Sequence, residues 1–529
     1  MKTNKFINIL LSGLLGTYLI SSCTSDFKDI NTNKRVLAEI DLATVGNVYA
    51  AVQYNGLMSG WNFQISQNLF ADLYTQYYSN WQTKFQTDRH VLNRDWLGLA
   101  WGGFYGAAAN NLAVVMEKTN PVSVPGYEKQ YALAQILKVF MYQRQTDYWG
   151  PIPYTQVNNS QNAVAYDKQQ DIYANFWVLL DSATTTLAGF AGQNAFGTND
   201  QIYGGSIDKW IVFANTLRLR VAMRISKVDP ALAKTQAEKA VAAGVMESNA
   251  DNAVFKTGPG DGGWNPLPIM LPWNEFRMSA SMESLLKGYN DPRLAAYWRP
   301  VVKNQQGQLN NDPTLYRGMR NGLSISQISD STRHYDKLST MSARWSTPGN
   351  EYVTPIEVIL SSDAYFLRAE GALKGWNMGI TAEEAYNKGI EMSLSYWGAS
   401  AAAITAYQQG VTTPIALPDF TTPPMTNIPV KFGADAATQL EQIMTQKWIA
   451  LFPDGWESWA DVRRTELPKL YPIIVSDNPD VPVDKLMRRV GYVPSELSSN
   501  ADAVQAAIST MLGGPDNAAT RLWWDPATK

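Results

Sequence analysis

The sequence predicts a mainly all-α fold, a TPR-like superhelix of paired helices carrying long irregular loops that form a second, functional face. Two observations predict the helices. Apolar residues recur at helical spacing over long stretches, and small residues such as Ala369 to Gly371 sit where paired helices approach closely. A third predicts the loop face, since the stretches 158–168, 249–274, 301–355 and 411–434 show no periodicity and are too long for simple turns.

In chain order, Leu133, Leu137, Phe140 and Met141 mark the first strong helix. Ile172, Phe176, Leu179, Leu180, Ala183 and Leu187 mark the second. Trp210, Ala214, Leu217, Val221 and Ile225 draw the stripe of a third. Thr381 and Glu384 form a capping box ahead of Ala382, Tyr386, Ile390, Leu394 and Trp397. Leu440, Met444, Trp448 and Leu451 continue the pattern, and a last short helix runs from near Asn500 through Val504, Ile508 and Met511. Helix pairs of this kind stack as repeats of roughly 34 residues, although no strict repeat is recovered.

Among 529 residues Cys23 is the only cysteine, so it closes no internal disulfide. Lys2 and Lys5 precede an apolar run from Phe6 to Ile20, followed by Ser21 and Ser22. That order is an export signal, and at about 15 residues the run is shorter than the roughly 20 a membrane span needs. Ile20, Ser21, Ser22 and Cys23 resemble a bacterial lipobox, with residues 1–22 a signal peptide and Cys23 the acylated anchor. More than one acyl chain on one residue gives stable anchoring. Residues 23–33 read as a lipidated leader with Asp26, Lys28 and Asp29 near its start, and 34–529 as one globular domain without a low-complexity linker.

Removing residues 1–22 takes away two lysines and no acids, moving the formal charge from −3 to −5, which does not invite nucleic acid. Charged residues are 17% of the chain, below the usual quarter, while there are 18 Trp, 26 Tyr and 17 Phe. Flat rings cover sugar C–H faces without desolvating a charge, so neutral, hydroxyl-rich ligands suit such a surface.

Catalytic chemistry is poorly supplied. His90 and His334 are the only histidines, and no nucleophile elbow, zinc motif or phosphate loop occurs. The nearest carboxylate cluster is Asp454, Glu457 and Asp461, which Arg463 and Arg464 are expected to hold ionised. No cofactor is expected; a structural Ca²⁺ touching Asp261 or Asp291 is left open.

Several segments together resemble the SusD/RagB-like surface lipoproteins of Bacteroidetes, in the branch called SusD-like 2. They are "CTSDFKDINTN" after the signal, "TDYWGPIPYT" at 146–155, "IDKWIVFANTLRLRVAMRIS" at 207–226, "DAYFLRAEGALKGW" at 363–376 and "QKWIALFPDGWESWADVRRTELPKL" at 446–470. These motifs also read structurally: Trp149, Tyr154, Trp456 and Trp459 as packing residues, Arg218 and Arg220 as partners of acids or helix ends. The resemblance implies an outer-membrane, lipid-anchored, non-catalytic binding protein. It would take glycan at the cell exterior and act as a lid on a SusC-like TonB-dependent transporter. The alternatives are the same architecture carrying peptide or another nutrient, or a surface glycoside hydrolase.

In the family, loops outside the repeats supply the ligand contacts. The early candidate here is "YTQYYSNWQTKFQTDRHV" at 74–91, where Tyr77, Asn80 and Trp81 interleave rings and amides. A middle candidate is "GPGDGGWNPLPIMLPWNEF" at 258–276, with Trp264 and Trp273, and Arg277 just after it. Trp345, within 301–355, is a third. The expected ligand-binding residues are therefore Trp81, Trp264, Trp273, Asn80, Arg277, Trp345 and Tyr77.

Overall fold

Four helix pairs carry the framework: α1 (Glu128–Trp149) with α2 (Gln169–Ala188), α3 (Ile207–Arg224) with α4 (Pro230–Ala243), α5 (Ser361–Leu373) with α6 (Ala382–Tyr396), and α7 (Ala436–Leu451) with α8 (Gly455–Thr465). Neighbouring pairs also touch, through α2 on α3, α3 on α5 and α5 on α7, so the helices pack in sequence as predicted. This is a computed structural model, and it describes residue 42 and residues 44–58, 62–157, 163–259 and 263–527. The export signal, Cys23, the leader and Asp261 lie outside the described residues. By its internal contacts the chain divides at Val45, and the framework lies in the unit Gly46–Lys529. No helix among the described residues is long and apolar enough to cross a membrane.

Local sequence sets the helix ends. Thr381 accepts from the Glu384 N–H at 3.2 Å while Glu384 Oε2 accepts from the Thr381 N–H at 3.1 Å, the predicted capping box. Pro230 opens α4 behind Asp229, whose carboxylate accepts from the Leu232 N–H. The predicted stripes of α2 and α3 are buried. Two helices go further: α1 is buried all round from Ala132 to Trp149 except at half-buried Lys138, and α3 from Phe213 to Arg224. One-sided amphipathicity fails there because other elements cover the second face.

Covering the polar face of α3 places charge inside. Arg220 bonds Asp363 at 2.7 Å, and Arg224 reaches Asp147 at 3.0 Å, Glu457 at 2.6 Å and Asp461 at 3.2 Å. Lys447 pairs with Asp363 at 3.0 Å and Asp461 at 2.6 Å, and Arg464 holds both oxygens of Glu370 at 2.6 and 2.7 Å. Side chains from α1, α3, α5, α7 and α8 are thus tied in one network. Burial alone would raise the Asp461 carboxyl, but Lys447, Arg464 and Arg224 hold it well below the usual carboxylate range.

Arg218 and Arg220 find acids as expected, Asp181 and Asp363 respectively. The expectation for Arg463 is corrected. It donates to the carbonyls of Trp459, Asp147 and Arg488, lies 3.7 Å over the Trp459 ring and is pushed down to about 9 by burial. The cations on Glu457 come instead from α3. Trp149 and Tyr154 pack inside, and Trp456 stacks on Tyr148 at 4.1 Å.

Between α4 and α5 the chain leaves the framework. Strand β1 (Tyr78–Asn80) pairs antiparallel with β3 (Phe276–Met278), and β2 (Ala253–Phe255) with β4 (Ile356–Ile359). The stretch 301–355 is broken into short helical turns, among them Ser331–Arg333, Tyr335–Lys337 and Ala343–Ser346.

Candidate functional site

The two stretches singled out for rings and amides are separated by some two hundred residues, and the β1–β3 ribbon joins them. Its register sets Tyr78 against Met278, Ser79 against Arg277 and Asn80 against Phe276, and the Trp81 N–H continues it to Glu275 O at 3.0 Å. All three residues of β1 are buried, and the chain regains accessible surface only at Trp81, just past its end.

Tyr77 and Tyr78 face the core. The Tyr77 hydroxyl donates to Trp448 O at 2.6 Å, and Tyr78 meets Trp298 edge-on at 5.6 Å. Trp81 is half-buried. Its indole N–H donates to Arg333 O at 2.6 Å, and its ring stands edge-on to His334 at 5.7 Å and to Tyr335 at 5.3 Å. Met319, Leu323, Ile328 and Leu338 pack beneath it. The ring is therefore fixed at its polar end and supported from below, while His334 is exposed beside it.

Asn80 closes the turn after β1. Its Oδ1 accepts from the Gln82 N–H at 2.8 Å, and its Nδ2 donates to Gln82 O at 2.7 Å and Phe85 O at 2.9 Å. Asp88 supports the same turn, accepting from Asn80 N–H and Asn321 Nδ2, and burial pushes its carboxyl up to about 6. Arg277 donates to Phe276 O at 2.6 Å, Tyr335 O at 3.1 Å and Asn274 Oδ1 at 2.9 Å, with its guanidinium 5.4 Å from the Tyr335 ring. Burial pushes it down to about 10. It thus ties the ribbon to the 333–337 turns. Lys84 pairs with Glu275 at 2.6 Å across the two stretches.

Trp273 is 46% exposed and ends the turn Leu271–Trp273, ahead of Asn274 at φ +57°. Trp264 is half-buried and lies elsewhere in the loop, edge-on to Tyr54 at 6.1 Å, whose hydroxyl donates to Trp264 O at 3.1 Å. Trp345 is fully buried against Trp397 and Phe452.

Of the seven expected contacts, Trp81, Trp264 and Trp273 therefore keep accessible surface. Tyr77, Asn80, Arg277 and Trp345 are corrected to positioning and packing residues, because each is buried and they present no surface to a ligand. His334 and Tyr335 were missed. The dense "RHYDK" run at 333–337 is the local signal for them.

The carboxylates named for acid–base work are committed elsewhere. Asp454 caps α8 and pairs with Arg144 at 3.0 Å, and Glu457 and Asp461 belong to the buried network. Asp291 is paired with Arg293 at 2.7 Å, and the described residues contain no group of three or more His, Cys, Asp or Glu that could hold a metal.

The family model described as "SusD-like: Susd and RagB outer membrane lipoprotein" matches residues 29–525. A chitin-binding SusD homolog from Flavobacterium johnsoniae is 36% identical, with a TM-score of 0.82 over 92% of this chain and 99% of that one. A SusD-like protein from Bacteroides thetaiotaomicron is 32% identical, with a TM-score of 0.78 over 91% and 98%. A SusD homolog from Bacteroides ovatus is 30% identical, with a TM-score of 0.81 over 92% and 99%. No curated protein matches the chain.

Proposed function

This chain belongs to the SusD-like family of outer membrane lipoproteins, and from that premise we propose that it is a carbohydrate-binding member whose ligand lies on the face marked by Trp81, His334, Tyr335 and Trp273. The observation that carries the proposal is Trp81 itself. Its indole N–H is taken by Arg333 O and its ring is braced by Tyr335, so a flat apolar face is held in place for a sugar ring before any ligand arrives. Of the charges beside Trp81, Lys84 is matched by Glu275 and Arg333 by Asp419, and Arg277 is buried on carbonyl and amide oxygens, which favours a neutral, hydroxylated ligand over an ionic one on this face. The chitin-binding homolog makes β-linked N-acetylglucosamine oligomers the first ligand to test.

In this reading the protein binds and does not turn over its ligand. Acylation at Cys23 anchors it, with the face turned to the cell exterior and a SusC-like TonB-dependent barrel as the partner that receives the cargo. The lipobox order from Ile20 to Cys23 and the lipoprotein family support the anchor. Mass spectrometry of the N-terminal peptide and co-purification from membranes check these two parts.

Calorimetry of the purified full-length chain in detergent, against chitin oligomers, other neutral glycans and peptides, tests the binding. Trp81→Ala is expected to weaken glycan binding about 30-fold, roughly 2 kcal/mol. Unchanged affinity in that variant, binding of peptides alone, or hydrolysis of any oligomer sinks the proposal.

A further inference from the structure

Behind the Ser331–Arg333 turn lies a separate open cavity of about 460 Å³, a volume within the range of small-molecule sites. The two places share one wall. Arg333 O accepts from Trp81 on one side, while Thr332 lines the cavity on the other. Leu315, Tyr316, Leu417 and Pro418 give the cavity apolar walls, and Gln305 and Thr422 give it neutral hydrogen-bonding groups.

Its charges do not balance. Lys287 is held by Glu283 at 2.9 Å, and Glu283 also accepts from the Gly318 N–H at 2.7 Å. Asp419 takes Arg333 at 2.7 Å, and Arg333 also reaches Asp330 at 3.3 Å. Arg317 and Arg320 remain, and among the described residues neither has a carboxylate in ion-pair reach. Arg317 donates to Thr332 O at 3.2 Å. Arg320 is 8% exposed; it donates to Thr422 Oγ1 at 3.0 Å and Pro472 O at 2.6 Å, and its Nε has no partner. The Arg320 guanidinium, bonded to neutral oxygens and lying 4.8 Å from the Tyr471 ring, and the half-buried Arg317 would both gain charge-assisted bonds from an anionic oxygen. Burial pushes both arginines below their ordinary range, and the more distant Asp419 only partly offsets it. Gly318 in the same wall lies tight against the Ser279 backbone, where a Cβ would collide with Ser279 O.

We infer that this cavity is a subsite for the anionic group of an acidic saccharide, a carboxylate or a sulfate, held by Arg317 and Arg320 against apolar walls. The inference deepens the carbohydrate reading and rests on it for the saccharide part. The ligand then has a neutral stretch on Trp81 and a charged unit in the cavity.

The test compares a glucuronate-containing oligosaccharide with its carboxyl-reduced counterpart, and a sulfated oligosaccharide with its desulfated form, on the full-length chain in detergent by calorimetry. At least one charged member is expected to bind about tenfold tighter than its neutral twin, and which pair shows it identifies the anion. Arg317→Gln removes that preference and leaves the neutral twin unchanged; Arg320→Gln does the same where it folds, and Trp81→Ala weakens both twins alike. Equal affinity within both pairs overturns the inference, as does a preference that survives Arg317→Gln. Inorganic sulfate or acetate binding as tightly as the oligosaccharide overturns it too. Neutral oligomers that bind without any charge preference defeat this inference but not the carbohydrate reading. Acidic oligomers that bind through Arg317 while Trp81→Ala changes nothing support the subsite and defeat the Trp81 face.

Discussion

Arg224 lies under the helices with Asp147, Glu457 and Asp461 around it, whereas Trp81 stands at the loop face with its indole on a carbonyl and its ring beside His334 and Tyr335. Both side chains have their polar atoms satisfied, yet they are used in opposite ways. The arginine joins three elements and presents nothing; the tryptophan is tied at one end so that the rest can be met from outside. A chain with few charged residues thus spends many of them indoors, while rings such as Trp81 and Trp273 are left at the loop face.

The comparison breaks hardest at the arginine. Arg224→Met strands the carboxylates of α1 and α8 in a dry interior and is expected to cost about 3–5 kcal/mol in urea unfolding. If instead stability rises, the network is not what ties the pairs together. Trp345→Ala is expected to cost a similar 3–5 kcal/mol by opening a cavity against Trp397 and Phe452, while leaving the affinity of the folded protein for glycan within about twofold. A large affinity loss there would return Trp345 to the binding face.

A titration sharpens the boundary between the two regions. His90 is buried, with Nδ1 at 3.2 Å from Val481 O, and burial lowers it to about 4 from its ordinary 6.5. The folded state resists the proton that the unfolded chain accepts, so this group removes stability as pH falls from 6.5 towards 4 and not above 6.5. His90→Asn is expected to flatten that part of the wild-type curve by on the order of 3 kcal/mol. Asp72 and Asp88, raised to about 7 and about 6 by burial, tilt the other way over the same range, so the difference between the two proteins is the quantity to measure. Identical curves would place His90 in water.

The smaller effects fall on the face. Trp81→Ala is expected to take about 2 kcal/mol from binding and less from stability than either buried variant. Trp273→Ala, exposed and without a bracing ring among the described residues, should weaken binding by about fivefold or less, read by the same calorimetry. A loss there larger than at Trp81 would move the centre of the face to the Leu271–Trp273 turn.

The helices were legible because burial at a period of 3.6 is written into adjacent residues, as the stripe from Ile172 to Leu187 and the Thr381–Glu384 cap show. The charged interior was legible only in part. Arg220 was expected to find an acid, but that Glu457 would be served from α3 rather than by Arg463 depends on which helices pack together. Ring assignment fared worst. Trp81 and Trp345 both sit in irregular, polar stretches, and local sequence cannot separate them. What separates them is the pairing of residues 78–80 with 276–278, a contact between distant segments that no window of sequence contains.

That ribbon has three residue pairs, and it fastens the face to the rest of the molecule on both sides. Segments grafted beyond Asn80 and before Phe276 would inherit a ready-made seat, since the register is set by the strands and not by what they carry. A designer wishing to change what this face presents could exchange those segments as a cassette and leave the helical chassis untouched.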